Sequence, residues 1–180
     1  MIDEASGLDF PIFQRQLYDL FGDPEDGSVE ADYIRIIDLG DFKADFPHML
    51  DYEGNPWDFR VYGNYVLKDP LRRAFQNLLV SGCAAELKSF DGCFNVRRMR
   101  GSGSLSVHSW GLAVDFNAAE NPFGGPVRFS DEFIKCFADA GFEPGALWSK
   151  PDGMHFQLCW LRDWTLPQYD GELKPIPWVA

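Results

Sequence analysis

Segments with strand-like and helix-like hydrophobic periodicity follow one another along this 180-residue chain without a regular strand–helix–strand alternation. Strands are predicted at 33–39, 59–67, 112–116 and 154–160, and helices at 11–21, from Asp69 to about Ser89 and from Ser130 to Gly141. Such an order is typical of an α+β fold around a small antiparallel sheet flanked by helices. Residues 40–58 are predicted to form a long connection.

The predicted helix ends depend on specific residues. Asp69 can cap the longest helix, and Pro70 suits its first turn. The apolar face of that helix is predicted from Leu71, Ala74, Phe75, Leu78, Leu79 and Ala85. Ser130 is predicted to begin a second helix that Gly141 stops, and Pro11 is predicted to begin the first helix.

Charge and hydropathy exclude two kinds of partner. There are 28 acidic and 16 basic residues, so the net charge is −12 and nucleic acid is not an expected partner. No apolar run approaches the roughly 20 residues that a membrane-spanning helix needs. The acidic segment 1–5 lacks the basic start of a secretory signal. We therefore expect a chain made in the cytoplasm that acts elsewhere only after release or delivery.

The residues that carry chemistry lie in two segments. His108 and Asp115 are seven residues apart with Gly111 between them, and Asp152 precedes His155 by three residues. A glycine turn can fold His108 back towards Asp115. Two imidazoles and one carboxylate are a typical catalytic zinc set that leaves the fourth position for water. A lone histidine–aspartate pair is more often structural, and the second pair favours a metal site.

Zinc-assisted hydrolysis needs two further groups, and both are present. A carboxylate must accept a proton from water and pass it to the leaving amine, and Asp152 is placed for that role. A guanidinium can stabilise the negative charge that develops on the attacked carbonyl. Arg97, Arg98 and Arg100 lie just upstream of His108, and a solvated basic cluster is the alternative interpretation of these three residues. His48 lacks such a context and is expected at a surface or packing position.

The pattern Ser106-x-His108-x-x-Gly111-x-Ala113-x-Asp115 resembles the S-x-H-x-x-G-x-A-x-D signature of the M15 zinc peptidases. That family includes D-alanyl-D-alanine carboxypeptidases and dipeptidases and phage L-alanyl-D-glutamate endolysins. The resemblance begins before the signature, in the segment 92–101, and continues to Asp152-x-x-His155-Phe156. It covers roughly residues 60–160.

The resemblance implies a role for each matching residue. Zinc would be held by His108, Asp115 and His155. Asp152 would be the general base, at a position where many relatives carry Glu. The catalytic arginine would be Arg97 first and Arg100 second. Ser106 would contact substrate or cap the turn, and Trp148 would line the substrate cleft or pack beneath the Asp152 loop.

The resemblance also implies a fold and a function. Residues 1–160 would form one M15-like domain with a zinc cleft on the sheet, as in the hedgehog-like fold, and residues 161–180 an arm that packs on it. We expect a monomeric zinc peptidase, of phage or prophage endolysin type, that cleaves an amide of peptidoglycan stem peptides or cross-links. The bond is left open, because the loops 40–58 and 117–130 would select it.

Two alternatives stay open at this point. One is a catalytically inactive, zinc-containing binding module of the same fold, as in the hedgehog signalling domain. The other is a structural zinc site that Cys159 or Asp152 closes as a fourth protein ligand.

Overall fold

Short strands and helices make up the fold, in an order that mixes the two. The computed structural model describes residues 10–11 and 16–161, with only the backbone for residues 10, 11 and 161. The α-helices of this part are α1 (Leu17–Phe21), α2 (Ser28–Tyr33), α3 (Lys68–Ser81) and α4 (Asp131–Ala138). The strands are β1 (Phe10–Pro11), β2 (Ile34–Asp38), β3 (Leu50–Asp51), β4 (Arg60–Asn64), β5 (Ser89–Gly92), β6 (Ala113–Phe116), β7 (Phe142–Pro144), β8 (His155–Leu158) and β9 (Trp160–Leu161).

The main sheet has five strands in the order β3-β5-β6-β8-β7. All neighbours in it are antiparallel except β3 and β5, which pair in parallel. The predicted α+β class is thus confirmed, with a mixed rather than purely antiparallel sheet. The parallel pair arises because the connection 40–58 contributes β3 to the sheet edge.

Alternation along β6 and β8 gives the main sheet two different faces. Phe116 and Phe156 point towards α3 and α4, where their rings lie 6.1 Å from Phe75 and 4.2 Å from Phe137, respectively. Side chains one position along a strand point to the opposite face. Asp115 and His155 therefore share the face away from these helices, and they are direct partners in the register.

A second sheet supports the first. Strands β2 and β4 form an antiparallel pair whose end at Asn64 lies against the turn that precedes β6. The backbone N–H of Asn64 donates to the carbonyl of Gly111 at 2.9 Å, and its side-chain amide donates to the carbonyl of Trp110 at 3.2 Å. Trp110 is fully buried. This sheet therefore fixes the segment that carries His108.

Both predicted ends of the longest helix, α3, are wrong. The helix expected to run from Asp69 to about Ser89 ends at Ser81, because Gly82 adopts a left-handed conformation (φ +79°) and terminates it. Asp69 lies inside the first turn instead of capping it. A 3-10 turn, Tyr65–Leu67, leads directly into α3. Asn64 caps this turn, because its side-chain Oδ1 accepts a hydrogen bond from the N–H of Val66 at 3.2 Å.

The other ends agree with the sequence to different degrees. Ser130 caps α4 as predicted, with its Oγ accepting from the N–H of Phe133 at 3.1 Å, whereas the helix ends three residues before Gly141. The prediction that Pro11 begins a helix is wrong, because Phe10–Pro11 is extended and pairs with β9.

Residues 12–15, and all of the predicted arm except Leu161, lie outside the described residues. No helix in the described part is long and apolar enough to cross a membrane.

Candidate metal centre

His108 lies on a short turn that two local features shape. Residues Val107–Trp110 form a 3-10 turn that Ser106 caps, with its Oγ accepting from the N–H of His108 at 3.4 Å. Gly111 ends the turn at φ +65°, and a Cβ there would lie 2.6 Å from the side chain of Ile34. Glycine is required because both the conformation and the close approach exclude a side chain. The chain then turns into β6, which carries Asp115.

The turn and the two strands bring three donor atoms together. The distances His108 Nε2–Asp115 Oδ1, His108 Nε2–His155 Nδ1 and His155 Nδ1–Asp115 Oδ1 are each 3.2 Å. A tetrahedral zinc site with bonds of about 2.0–2.1 Å has ligand–ligand separations of about 3.3–3.4 Å. The three atoms therefore have the spacing of one face of such a tetrahedron. Both histidines are buried, and Asp115 is half-buried.

Hydrogen bonds at the other ring nitrogens fix both tautomers. His108 Nδ1 donates to the carbonyl of Cys93 at 2.6 Å, and His155 Nε2 donates to Gln157 Oε1 at 3.1 Å. Because each remote nitrogen carries the proton, each nitrogen in the cluster presents a lone pair. Two lone pairs and a carboxylate that point at one another form a set of acceptors without a donor, which suits a cation.

The hydrogen bonds around His155 continue beyond Gln157. The Gln157 side-chain amide donates to Glu143 Oε2 at 3.1 Å, and Trp148 Nε1 donates to Glu143 Oε1 at 2.8 Å. The Trp148 ring also lies 5.2 Å from the imidazole of His155. Trp148 therefore packs beside His155 and holds Glu143 in place. No sequence motif indicated Glu143 and Gln157, because the pairing of β7 with β8 brings them together.

Electrostatics around Asp115 favour its charged form. Burial by itself would raise the pKa of Asp115, but the hydrogen bonds and charges of His108 and His155 in their doubly protonated, metal-free form together hold that pKa well below its usual range. Burial lowers the pKa of His155, and the contacts with Asp115 and Gln157 outweigh this and raise it. Asp115 is thus a carboxylate at neutral pH, as a metal ligand must be.

Asp152 lies beside the cluster with an unpartnered oxygen. Among the buried side-chain nitrogen and oxygen atoms of the described residues, Asp152 Oδ1 is the one without a hydrogen-bond partner. Burial raises the pKa of this carboxyl group. Its loop is held close by backbone bonds from Asp152 N to the carbonyl of Gly145 at 2.9 Å and from His155 N to the carbonyl of Asp152 at 3.1 Å. A buried oxygen that lacks a partner is suited to a proton from a reactant.

A cavity of about 390 Å³ opens over the cluster on the His155 side. Apolar side chains and a few polar groups line it, as in small-molecule sites. Its lining consists of Arg97, Met99, Arg100, Ser102, Ser106, Val107, Asp115, Phe123, Trp148, Asp152, Met154, His155 and Gln157. The cavity thus collects every predicted site residue except His108, which lies behind it in the cluster. Phe123 and Met99 carried no signal in the sequence.

The three upstream arginines have different surroundings. Arg98 forms an ion pair with Glu25 at 2.9 Å and does not line the cavity. Arg97 and Arg100 both line it and are exposed. The guanidinium of Arg100 lies 5.7 Å from the ring of Phe123, and its charge acts to lower the pKa of Asp152 against the larger effect of burial.

Two other groups that the sequence raised lie apart from the cluster. His48 is exposed, as predicted. The thiol of Cys159 donates to the carbonyl of Gly141 at 3.6 Å and is not among the residues that could hold the metal. Within the described residues, that group consists of His108, Asp115 and His155.

Comparison with known protein families gives a match to part of the chain. Residues 100–158 match a family model of M15 peptidases described as D-alanyl-D-alanine carboxypeptidase. The predicted resemblance to the M15 peptidases is confirmed. The matched stretch contains all three residues of the cluster, together with Asp152 and Trp148, whereas Arg97 precedes it. No curated protein and no solved structure matches the chain. The M15 match supports a metallopeptidase of carboxypeptidase type.

Proposed function

We propose that the chain is a zinc-dependent peptidase that hydrolyses an amide bond in peptidoglycan stem peptides or cross-links, as an endolysin-type enzyme. One observation carries the proposal. Three acceptor atoms lie 3.2 Å from one another, and two of the residues that carry them, Asp115 and His155, line a cavity together with Asp152, whose buried Oδ1 has no hydrogen-bond partner. The match to the M15 peptidases supports the same chemistry.

The residues of the cluster fit zinc, which they would hold through two imidazole nitrogens and one carboxylate oxygen. When bound, zinc supplies Lewis-acid polarisation of a carbonyl and makes water more acidic. Because His108 and His155 keep their protons on the nitrogens that face Cys93 and Gln157, neither imidazole is available as the general base.

Asp152 is the residue left to move the proton. Its Oδ1 atom accepts the proton of the attacking water and delivers it to the amine that leaves. Burial, which raises the pKa of Asp152, makes this carboxylate a stronger base than an exposed aspartate. The same group can therefore act as base first and as acid afterwards.

The cavity walls provide charge stabilisation and orientation. Arg97 lines the cavity together with Asp115 and supplies the guanidinium for the charge that develops on the carbonyl oxygen. Arg100 is placed to pair with a carboxylate of the substrate. Phe123 and Trp148 exclude water from one side of the bound peptide.

Digestion of purified peptidoglycan by the zinc-loaded protein tests the proposal. We expect new amino groups, and mass spectrometry of the muropeptides identifies the bond. The Asp152→Asn variant should keep its zinc and lose about 10²–10⁴-fold in rate, whereas Asp45→Asn, at an exposed position, should match wild type. Zinc binding without new amino groups would instead identify a binding module. Full activity of Asp152→Asn would contradict the role of Asp152.

A further inference from the structure

The cleft does not end at the metal cluster. A second cavity, of about 420 Å³, reaches the cluster from the His108 side, whereas the first reaches it from the His155 side. The two cavities share Asp115 and Arg97 in their linings. An amide that lies over the cluster therefore has room for a substrate segment on both sides. Each cavity is in the size range of small-ligand sites.

The second cavity has an aromatic and acidic character. Tyr52 follows β3 and is 73% exposed, and its hydroxyl donates to Glu53 Oε1 at 3.3 Å. Asp91 lies on β5, next to the paired end of β3. Its Oδ2 accepts from Ser89 Oγ at 2.7 Å and from the N–H of Ala118 at 3.0 Å, so the carboxylate is held in place. Phe94 completes this wall.

The first cavity has Arg100 in its lining, in addition to the carboxylates of Asp115 and Asp152 at the cluster, and Lys150 lies just outside that lining. Arg100 and Lys150 both lie over the ring of the wall residue Phe123, at 5.7 and 4.5 Å from its centre. Arg97 stands at the junction of the two cavities. Beyond the cluster, a substrate thus meets Arg100 and the nearby Lys150 on one side, and Asp91 with the exposed ring of Tyr52 on the other. An ammonium group is attracted by both a carboxylate and an aromatic face.

We propose that the second cavity is a substrate subsite, which takes the segment beyond the reacting amide and favours a segment that carries an ammonium group. The proposal rests on the proposed peptidase function and deepens it. It makes the reacting amide an internal bond rather than the last bond of a peptide. Tyr52 and Asp91 are then specificity-determining residues, and neither touches the reacting atoms.

Three synthetic peptides built around the bond that is cut test this subsite. The first ends at the residues that flank the reacting amide. The second peptide is extended on both sides with norleucine, and the third is extended on both sides with lysine. The two added side chains have similar length, but only lysine is charged. We expect kcat/KM to rise with either extension, and to be about 2–5-fold higher for lysine than for norleucine at low ionic strength, since Asp91 is partly exposed and water and salt weaken the pair.

The variants separate charge from contact area. Asp91→Asn should abolish the preference for lysine while leaving the norleucine peptide unchanged. Tyr52→Ala should lower kcat/KM for both extended peptides and leave the short one unchanged. Glu132→Gln, on the exposed part of α4, should behave as wild type throughout.

Calorimetric binding of the same peptides to zinc-loaded Asp152→Asn gives a readout that needs no turnover. Tighter binding of the lysine peptide that disappears with Asp91→Asn supports the subsite, even if no peptide is hydrolysed and the proposed function fails. Equal binding and equal kcat/KM of short and extended peptides would overturn the subsite while leaving a peptidase. Release of terminal residues alone would also overturn it.

Discussion

Two hydrogen bonds at single residues decide whether His108 and His155 can bind a cation. The carbonyl of Cys93 and the side chain of Gln157 hold the protons of the two imidazoles on the nitrogens remote from Asp115. The partner of His108 is a backbone atom, which a substitution cannot easily remove. The partner of His155 is a side chain, which is itself oriented by Glu143. Gln157 is therefore the accessible test of this arrangement.

Replacing Gln157 by leucine should weaken zinc binding by about 10–100-fold, because His155 loses the acceptor that fixes its tautomer and orientation. Competition with a chromophoric chelator measures the affinity. Gln76→Leu, at an exposed position of α3, is the matched control and should bind zinc like wild type. An unchanged affinity of Gln157→Leu would show that the orientation of His155 does not depend on this bond.

The sequence predicted the cluster itself better than its support. His108, Asp115 and His155 belong to local patterns with fixed spacing, and strand alternation places Asp115 on the correct face. Gln157 and Glu143 become neighbours only through the register of β7 and β8. Pairing between strands that are distant in sequence leaves no local pattern, so these partners could not be predicted.

At the scale of elements, the turn between the second sheet and β6 positions the cluster. Gly111 packs closely against Asn64, whose backbone N–H donates to the Gly111 carbonyl. A Cβ added at Gly111 would lie only 2.7 Å from the backbone nitrogen of Asn64. A backbone atom cannot move away as a flexible side chain could. The position of His108 thus depends on contact between two separate sheets.

Gly111→Ala should destabilise the protein by about 3 kcal/mol or more, because it adds left-handed strain to an overpacked contact. Thermal and urea denaturation measure the loss. Gly103→Ala should change stability little, since a Cβ added at Gly103 would have no atom within 4 Å and the residue has no positive φ. Equal stability of the two variants would contradict the described contact.

Elements with strong local signals were predictable, and short ones were not. Ser130 marks α4 correctly because its capping bond is local. Strands β3 and β7 have two and three residues, too few to show alternation. The boundary of α3 was predicted too late because Ala85 continues the apolar pattern, whereas Gly82 ends the helix by its backbone conformation.

At the scale of the whole molecule, one aromatic core joins the helices to the sheet. Phe75 of α3 is fully buried and contacts rings from the connection 40–58 and from β6: Phe46 at 5.0 Å, Phe42 at 5.5 Å and Phe116 at 6.1 Å. Phe116 is next to Asp115 on β6 and points to the other face. The core therefore supports the strand that carries a candidate ligand.

Phe75→Ala should lower the free energy of unfolding by about 3–5 kcal/mol, through lost burial and the cavity it leaves. Val80→Ala lies on the same helix at a position that is 91% exposed, and it should change the stability by less than about 0.5 kcal/mol. Urea unfolding followed by fluorescence measures both. A small loss at Phe75 would mean that α3 and the sheet do not share a core.

Zinc titration into chelator-stripped protein, read by metal analysis and calorimetry, tests the central claim most directly. Wild type should bind one zinc ion per chain. His108→Ala and His155→Ala should each lose that binding, while His48→Ala, which changes the exposed third histidine, should retain it. Tight binding that persists in both His108→Ala and His155→Ala, or a wild-type chain that binds no zinc, would contradict the account.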